Sequence, residues 1–398
     1  MPTISHRAQI LPQSPIRKLT PYAEKARREG KTIYHLNIGQ PDIHTPEIAL
    51  EAVRDFHPSV LEYTKSEGLD SLREKVVEYY KKHRINVDMS DIIITSGGSE
   101  ALTYVVATVA GADDEIIIPE PYYANYISFS RAFDAVCVPI TSSFDDNFAL
   151  PPIVEFEKKI TPRTKAFLIC NPGNPTGYLY SREEILELAA LAKKYDLFLI
   201  FDEVYREFVY EGGHFSIMEV PDLEQHAIMI DSVSKRFSMC GARIGWVVSK
   251  NKEVMRSLLK FAQARLSSPT YSQVAAERAF DVDDSYFEDV LREYTRRRNV
   301  LIKELQTVEG VRVSMPKGAF YCIAELPVAN AEDFCIWLLN DFSVDNETVM
   351  LAPAEGFYAT EGLGRKEVRI AYVLEVEKIK RAVAILRRAL SEYQATHK

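Results

Sequence analysis

The feature that most constrains this chain is a series of short apolar runs from about residue 90 onward. Each run is closed by a polar or glycine-rich cluster, and a stretch of helical periodicity separates it from the next. Ile92-Ile93-Ile94-Thr95 ends at Gly97-Gly98 and gives way to an amphipathic stretch over 99–110. Glu115-Ile116-Ile117-Ile118, a helical pattern over about 125–133, and the runs at 136–140 and 166–170 follow in turn. The last of these leads through Asn171-Pro172-Gly173-Asn174-Pro175-Thr176-Gly177 into a helix. Its start is marked by Ser181 with Glu184 three residues on, a spacing that lets each side chain cap the other's backbone N–H. Runs at 197–201, 227–230 and 244–248 complete the set. A strand with one solvated face alternates polar and apolar residues, whereas a continuous apolar run is covered on both faces. The pattern therefore predicts an α/β fold: a three-layer αβα large domain built on a mostly parallel sheet. In such sheets ligands bind beyond the carboxyl ends of the strands, so the residues just after each run are the candidates for chemistry.

Beyond about residue 280 the pattern changes. Residues 286–305 read as a long charged helix carrying Arg292, Arg296, Arg297 and Arg298. Short strands at 311–314, 319–324 and 368–372 surround a helix near 332–339, and a helix over 376–393 closes the unit. This is a smaller α+β domain, and the N-terminal segment through Gly39-Gln40-Pro41-Asp42 is expected to pack with it. The expected division is a large domain over 45–285 and a small domain formed by 1–44 and 286–398.

Charge and motif content exclude several function classes. Lys and Arg total 48 against 57 Asp and Glu, a net charge of −9, which does not suit a phosphate backbone or an anionic membrane surface. The longest apolar runs, such as Leu197-Phe198-Leu199-Ile200-Phe201, fall far short of the ~20 residues of a membrane span. The five cysteines form no CxxC pair and the histidines no HExxH, so neither a disulfide framework nor a metal site is expected. Free cysteines without a secretory segment point to the cytoplasm.

The strand ends carry the chemistry. Phe201 is followed by Asp202-Glu203-Val204-Tyr205; an isolated Asp there is ordinarily a turn former. Ile230 is followed by Asp231-Ser232-Val233-Ser234-Lys235, and Arg243 stands eight residues further on beside glycines. The run at 92–95 opens a helix through Gly97-Gly98-Ser99, where free backbone N–H groups suit a phosphate. Together these supply what pyridoxal phosphate requires: a lysine amine for a Schiff base, a carboxylate to keep the pyridine nitrogen protonated, and an anion cradle. Asn174 and Tyr205 are placed to bind the ring oxygen, and Tyr123 to stack on the ring, although an ordinary core aromatic would look the same.

These motifs, in this order, resemble the class I/II aminotransferases, the aspartate aminotransferase-like branch of fold-type I pyridoxal-phosphate enzymes. The resemblance runs from Gly39, through Tyr63, Gly68 and Arg73, to Gly97-Gly98-Ser99-Glu100-Ala101-Leu102 and Asn174. It continues in Asp202 to Tyr205, Ser232 to Lys235 and Arg243, and ends in Val368-Arg369-Ile370-Ala371-Tyr372. It implies Lys235 as the Schiff-base lysine and proton carrier, Asp202 as the partner of the pyridinium nitrogen, and Asn174 and Tyr205 at the ring oxygen. It further implies Gly98, Ser99, Ser232, Ser234 and Arg243 at the phosphate, joined by Tyr63 from the other subunit of a homodimer. Arg369 would clamp the substrate α-carboxylate, a bidentate task suited to guanidinium, and Gly39 would let the backbone approach the substrate.

The implied activity is transfer of an amino group from an L-amino acid to a 2-oxo acid, with aspartate and 2-oxoglutarate as the leading pair. The binder of a second carboxylate is not evident. Ser99 stands where related enzymes often carry Lys, and the segment before Ser267-Ser268-Pro269 offers Gln263 and Arg265, the latter out of register and expected to be a solvated helix end. Alanine, aromatic or other neutral amino acids remain open, as does a lyase on the same cofactor. A non-enzymatic regulator domain would need a basic DNA-binding module, which the acidic charge and the filled catalytic positions argue against.

Overall fold

The computed structural model describes residues 2–397. The first strand, β1 (Thr32–His35), is followed by the strands of the central sheet: β2 (Ile92–Thr95), β3 (Glu115–Glu120), β4 (Val136–Thr141), β5 (Thr164–Cys170), β6 (Phe198–Asp202), β7 (Ala227–Ser232) and β8 (Gly245–Val248). They lie in the order β2-β8-β7-β6-β5-β3-β4. Only β8 runs antiparallel to its neighbours, so the sheet is mostly parallel as the apolar runs predict. Side chains alternate across it. Ile200, Ile228 and Ile230 join an apolar cluster on one face, and Leu199, Phe201 and Met229 join a second cluster on the other. Helices cover both. The helix Arg182–Tyr195 begins with the predicted reciprocal cap: Glu184 N donates to Ser181 Oγ at 3.1 Å and Ser181 N donates to Glu184 Oε2 at 2.7 Å.

The remaining strands are β9 (Arg312–Val313), β10 (Tyr321–Glu325), β11 (Glu347–Met350), β12 (Ala352–Pro353) and β13 (Glu367–Ala371). Four of them form the sheet β12-β13-β10-β9, while β11 pairs in parallel with β1. The sequence pattern missed β11 and β12, which are short and follow one another almost directly. The long helices Asp284–Leu305 and Val376–Thr396 pack against this unit. The apolar cluster on the Ile230 face continues into it through Phe320, Tyr321 and Leu386, so the smaller unit shares its core with the central sheet. Among the described residues no helix is long and apolar enough to cross a membrane.

Candidate active site

A cavity of about 610 Å³ opens beyond the carboxyl ends of β2, β5, β6 and β7, between the central sheet and the smaller one. Gly98 and Ser99 reach it from the turn after β2, Asn174 from the loop after β5, Asp202 and Tyr205 from the end of β6, and Ser232, Ser234 and Lys235 from the end of β7. Arg243 enters just ahead of β8, Tyr123 from the loop after β3, and Gly39 and Arg369 from the smaller unit. Twelve of the sequence-predicted residues thus meet in one place. Tyr63 does not: its side chain is 78% exposed and outside the cavity.

At the floor, Asp202 is buried and receives a hydrogen bond from Tyr126 Oη at 2.8 Å, with Val204 N more distant at 3.4 Å. Burial pushes its carboxyl up to about 6, against the pull of the Tyr126 hydroxyl. Lys235 sits on the helical turn Val233–Arg236, and its Nζ donates to the Gly39 carbonyl at 2.8 Å. Gly39 must be a glycine, because a Cβ there would run into the Tyr321 hydroxyl. That hydroxyl shares a 2.9 Å hydrogen bond with Tyr205 Oη. On β13, the buried Arg369 donates from Nη1 to Asn174 Oδ1 at 3.1 Å and from Nη2 to the Asn37 carbonyl at 2.5 Å. Its guanidinium carbon lies 4.5 Å from the Tyr321 ring centre and 5.0 Å from that of Phe357, while Nε has no protein partner.

The opposite end is built for an anion. Gly97, at a φ of 81°, precedes the helix Gly98–Val109, whose first N–H groups have no carbonyl within the helix. A Cβ on Gly97 would collide with the Arg243 guanidinium. Arg243 itself is held in the left-handed region at a φ of 55°, with Nη1 donating to the Cys240 carbonyl at 2.9 Å. The Ser232 hydroxyl donates to the Ile244 carbonyl at 2.7 Å and accepts from Ser234 N at 3.1 Å, so it braces Ser234 at the cavity wall.

Comparison with known proteins agrees with this geometry. The family described as aminotransferase class I and II matches residues 31–386. The chain belongs to that family. It is 31% identical to an aspartate aminotransferase of Pyrococcus horikoshii over 97% of each chain. It is also 31% identical to an aromatic-amino-acid aminotransferase of Thermococcus litoralis over 98% of each. The aspartate aminotransferase of Thermus thermophilus, solved with maleate, superposes with a TM-score of 0.88 at 29% identity, covering 98% of this chain and all of that one.

This aminotransferase uses pyridoxal phosphate, the cofactor of class I/II enzymes of this fold. Two observations show that the residues present fit it. Asp202 is a carboxylate that burial alone disfavours, which a ring cation would compensate. Three strands away from β6 in the sheet order, beyond the end of β2, Gly97 leaves open the space between a helix start and Arg243 that a phosphate would fill.

Sequence reasoning missed Tyr126 and Tyr321, which hold Asp202 and Tyr205; as aromatics in apolar surroundings they read as core. It also misread Arg265. The side chain is not a solvated helix end but half-buried, paired with Glu100 at 3.1 Å and donating to Ser268 Oγ and to the Ser66 and Ile94 carbonyls. The helix Lys252–Arg265 ends against the segment around Ser66, which turns the guanidinium inward, and these partners occupy it.

Proposed function

We propose that this aminotransferase moves the α-amino group of L-aspartate to 2-oxoglutarate, through a site in which Lys235 is the proton carrier. The observation that supports this most is the convergence of the Lys235 amine, the buried Asp202 and the buried Arg369 on one cavity. Pyridoxal phosphate, when bound, supplies an electron sink for the charge left on the substrate α-carbon. Lys235 would hold it and, once the substrate amine has taken that place, its freed Nζ would take the substrate α-proton. Asp202 holds the ring nitrogen protonated, with Tyr126 fixing the carboxylate. Asn174 and Tyr205 bind the ring oxygen and Tyr123 covers a ring face. Gly98, Ser99, Ser232, Ser234 and Arg243 form the phosphate end. Arg369 clamps the α-carboxylate with Asn174 beside it, and Gly39 keeps the backbone low enough for the substrate to enter.

Aspartate as donor is supported by the names of several relatives and by maleate, a four-carbon dicarboxylate, in the Thermus structure. Titrating the holoenzyme with a panel of amino acids and following the cofactor spectrum tests the reading. Full conversion to the amine form by aspartate, reversed by 2-oxoglutarate, is expected. Release of ammonia with no recovery by an oxo acid would instead mark a lyase.

The enzyme is proposed to act as a homodimer. Val60, Leu61 and Tyr63 are 65%, 55% and 78% exposed, and their segment lies beside Leu266 and Tyr271, which are also exposed. A contiguous apolar patch of this kind suits an isologous interface, and Tyr63 would then reach the phosphate of the neighbouring site. The division into a large domain (45–285) and a small domain (1–44 with 286–398), and a cytoplasmic location matching five free cysteines, belong to the same proposal.

A further inference from the structure

The charge inventory of the cavity does not close on the cofactor and the α-carboxylate. Four cationic side chains line it, Arg17, Lys235, Arg243 and Arg369, against one carboxylate, Asp202. In the reading above, Lys235 is bonded to the cofactor, Asp202 serves the ring nitrogen, Arg243 faces the phosphate and Arg369 faces the α-carboxylate. Arg17 is left without an anion. We propose that Arg17 binds the side-chain carboxylate of the substrate, making this site selective for amino acids and oxo acids that carry a second acidic group.

The position of Arg17 is built rather than incidental. The residues around it are anchored, while its own side chain stays free at the cavity mouth. Pro15 is buried against Gly356, where a Cβ would collide with it. Ile16 packs on the cluster containing Ala354 and Phe357. Lys18 pairs with Glu332, and Leu19 is only 1% exposed. The N–H groups of Arg17 and Lys18 both donate to the Ser14 carbonyl at 3.0 Å, which closes the turn. Ile38 and Leu102 line the same cavity and offer apolar contact to the methylene stem of a dicarboxylic amino acid.

The other candidates for this task are eliminated by their contacts. Ser99 carries no charge, and Arg265 is occupied by Glu100, Ser268 and two backbone carbonyls. A guanidinium that is solvated when the site is empty can meet a carboxylate in a two-pronged contact as the substrate displaces water.

The inference rests on the aminotransferase reading, and one experiment separates their failures. The holoenzyme, Arg17→Met and Arg17→Lys are assayed for kcat/KM with aspartate, glutamate, alanine and phenylalanine, and for binding of succinate against propionate. Expected is a wild-type preference for the two acidic amino acids. Arg17→Met should lower their kcat/KM relative to alanine by roughly 10- to 100-fold, mostly through KM, and should weaken succinate relative to propionate. Arg17→Lys should restore part of both. An active enzyme whose acidic-to-neutral ratio does not move in Arg17→Met overturns the role of Arg17 and leaves the reaction intact. An enzyme that transaminates none of the four overturns the reading of the site and the Arg17 inference with it.

Discussion

The ends of β6 and β7 carry charged residues to both faces of the sheet, and the two faces treat them differently. On the cavity side stand Asp202 and Lys235; on the other, one residue further along, stand Glu203 and Arg236, together with Asp231. The far-side charges are answered from within the chain. Asp231 receives Arg236 Nη2 at 2.5 Å and Tyr80 Oη at 2.8 Å, and Trp246 Nε1 in turn donates to Tyr80 at 2.7 Å. The Arg236 guanidinium lies 4.1 Å from the Tyr79 ring centre. Glu203 accepts from Ser216 Oγ at 2.9 Å and Ile217 N at 3.0 Å. On the cavity side, Asp202 has one tyrosine hydroxyl and a long backbone contact, and Lys235 the half-buried Gly39 carbonyl and a 3.7 Å contact to Cys240 Sγ. Adjacent residues on the same strands thus divide the work: on the far side each charge meets an opposite charge inside the fold, although Glu203 Oε2 and Arg236 Nε and Nη1 keep no hydrogen-bond partner, while Asp202 and Lys235 face the cavity.

The largest contrast is between neighbours. Lys235→Ala should lower transamination by about 10⁴-fold and let the cofactor leave on dialysis, while costing the fold only ~1 kcal/mol for a lost hydrogen bond. Arg236→Met should do the reverse in kind, destabilising the cofactor-free protein by roughly 3–5 kcal/mol because Asp231 is left buried and unpaired. Urea midpoints and kcat measured on both variants check this. Equal loss of stability in the two would break the division between the faces.

Next in size is Asp202→Asn. It should cut kcat by on the order of 10²–10³, since a neutral amide cannot hold the ring nitrogen protonated. It should also stabilise the cofactor-free protein at pH 8 by on the order of 2 kcal/mol. Burial holds Asp202 at about 6, above its unfolded value near 3.8. The proton it binds on folding stabilises the native state below pH 4, and that contribution is lost as pH rises through 6. The gain from Asn should therefore shrink between pH 8 and pH 4. Glu203, which burial pushes up to about 7 against the pull of the Arg206 guanidinium 3.7 Å away, adds a loss of the same sign over a slightly higher range. Thermal melts of the apoprotein from pH 5 to 8 measure both, and no pH dependence in the Asp202→Asn difference would refute the assignment.

The smallest effect sharpens the cavity side alone. Tyr126→Phe removes the one strong donor to Asp202, so the carboxyl rises further and the acid limb of the rate profile should move up by up to about one pH unit. A profile that stays in place would show that Tyr126 serves only the core.

Most of this site was legible because its residues follow strand ends. The apolar runs locate the strands, and the polar residues just beyond them, from Ser99 to Lys235, inherit their positions from the sheet. Arg369 was legible only through its motif, since an arginine on a strand looks like surface charge until the fold buries it to 2%. Tyr126 and Tyr321 were not legible, for one physical reason. What each does depends on a partner distant in sequence, Asp202 for one and Tyr205 for the other, and an aromatic on a helix or a strand announces no such partner. Arg265 failed the same way: at a helix end it reads as solvated, and only the arrival of Ser66 and Glu100 turns it inward.

The pairing of β1 with β11 has a consequence for synthesis. Thr32 aligns with Glu347, so the first strand leaves the ribosome about 300 residues before its partner and waits roughly 15 to 60 s at ordinary elongation rates. Through that interval Thr32-Ile33-Tyr34-His35 is a strand without a neighbour, a template for pairing with another nascent chain. Its length of four residues and the flanking Arg27, Arg28 and Lys31 limit that hazard. The order of elements along the chain thus makes the smaller unit the last part of the protein to close, whatever the speed at which the central sheet forms.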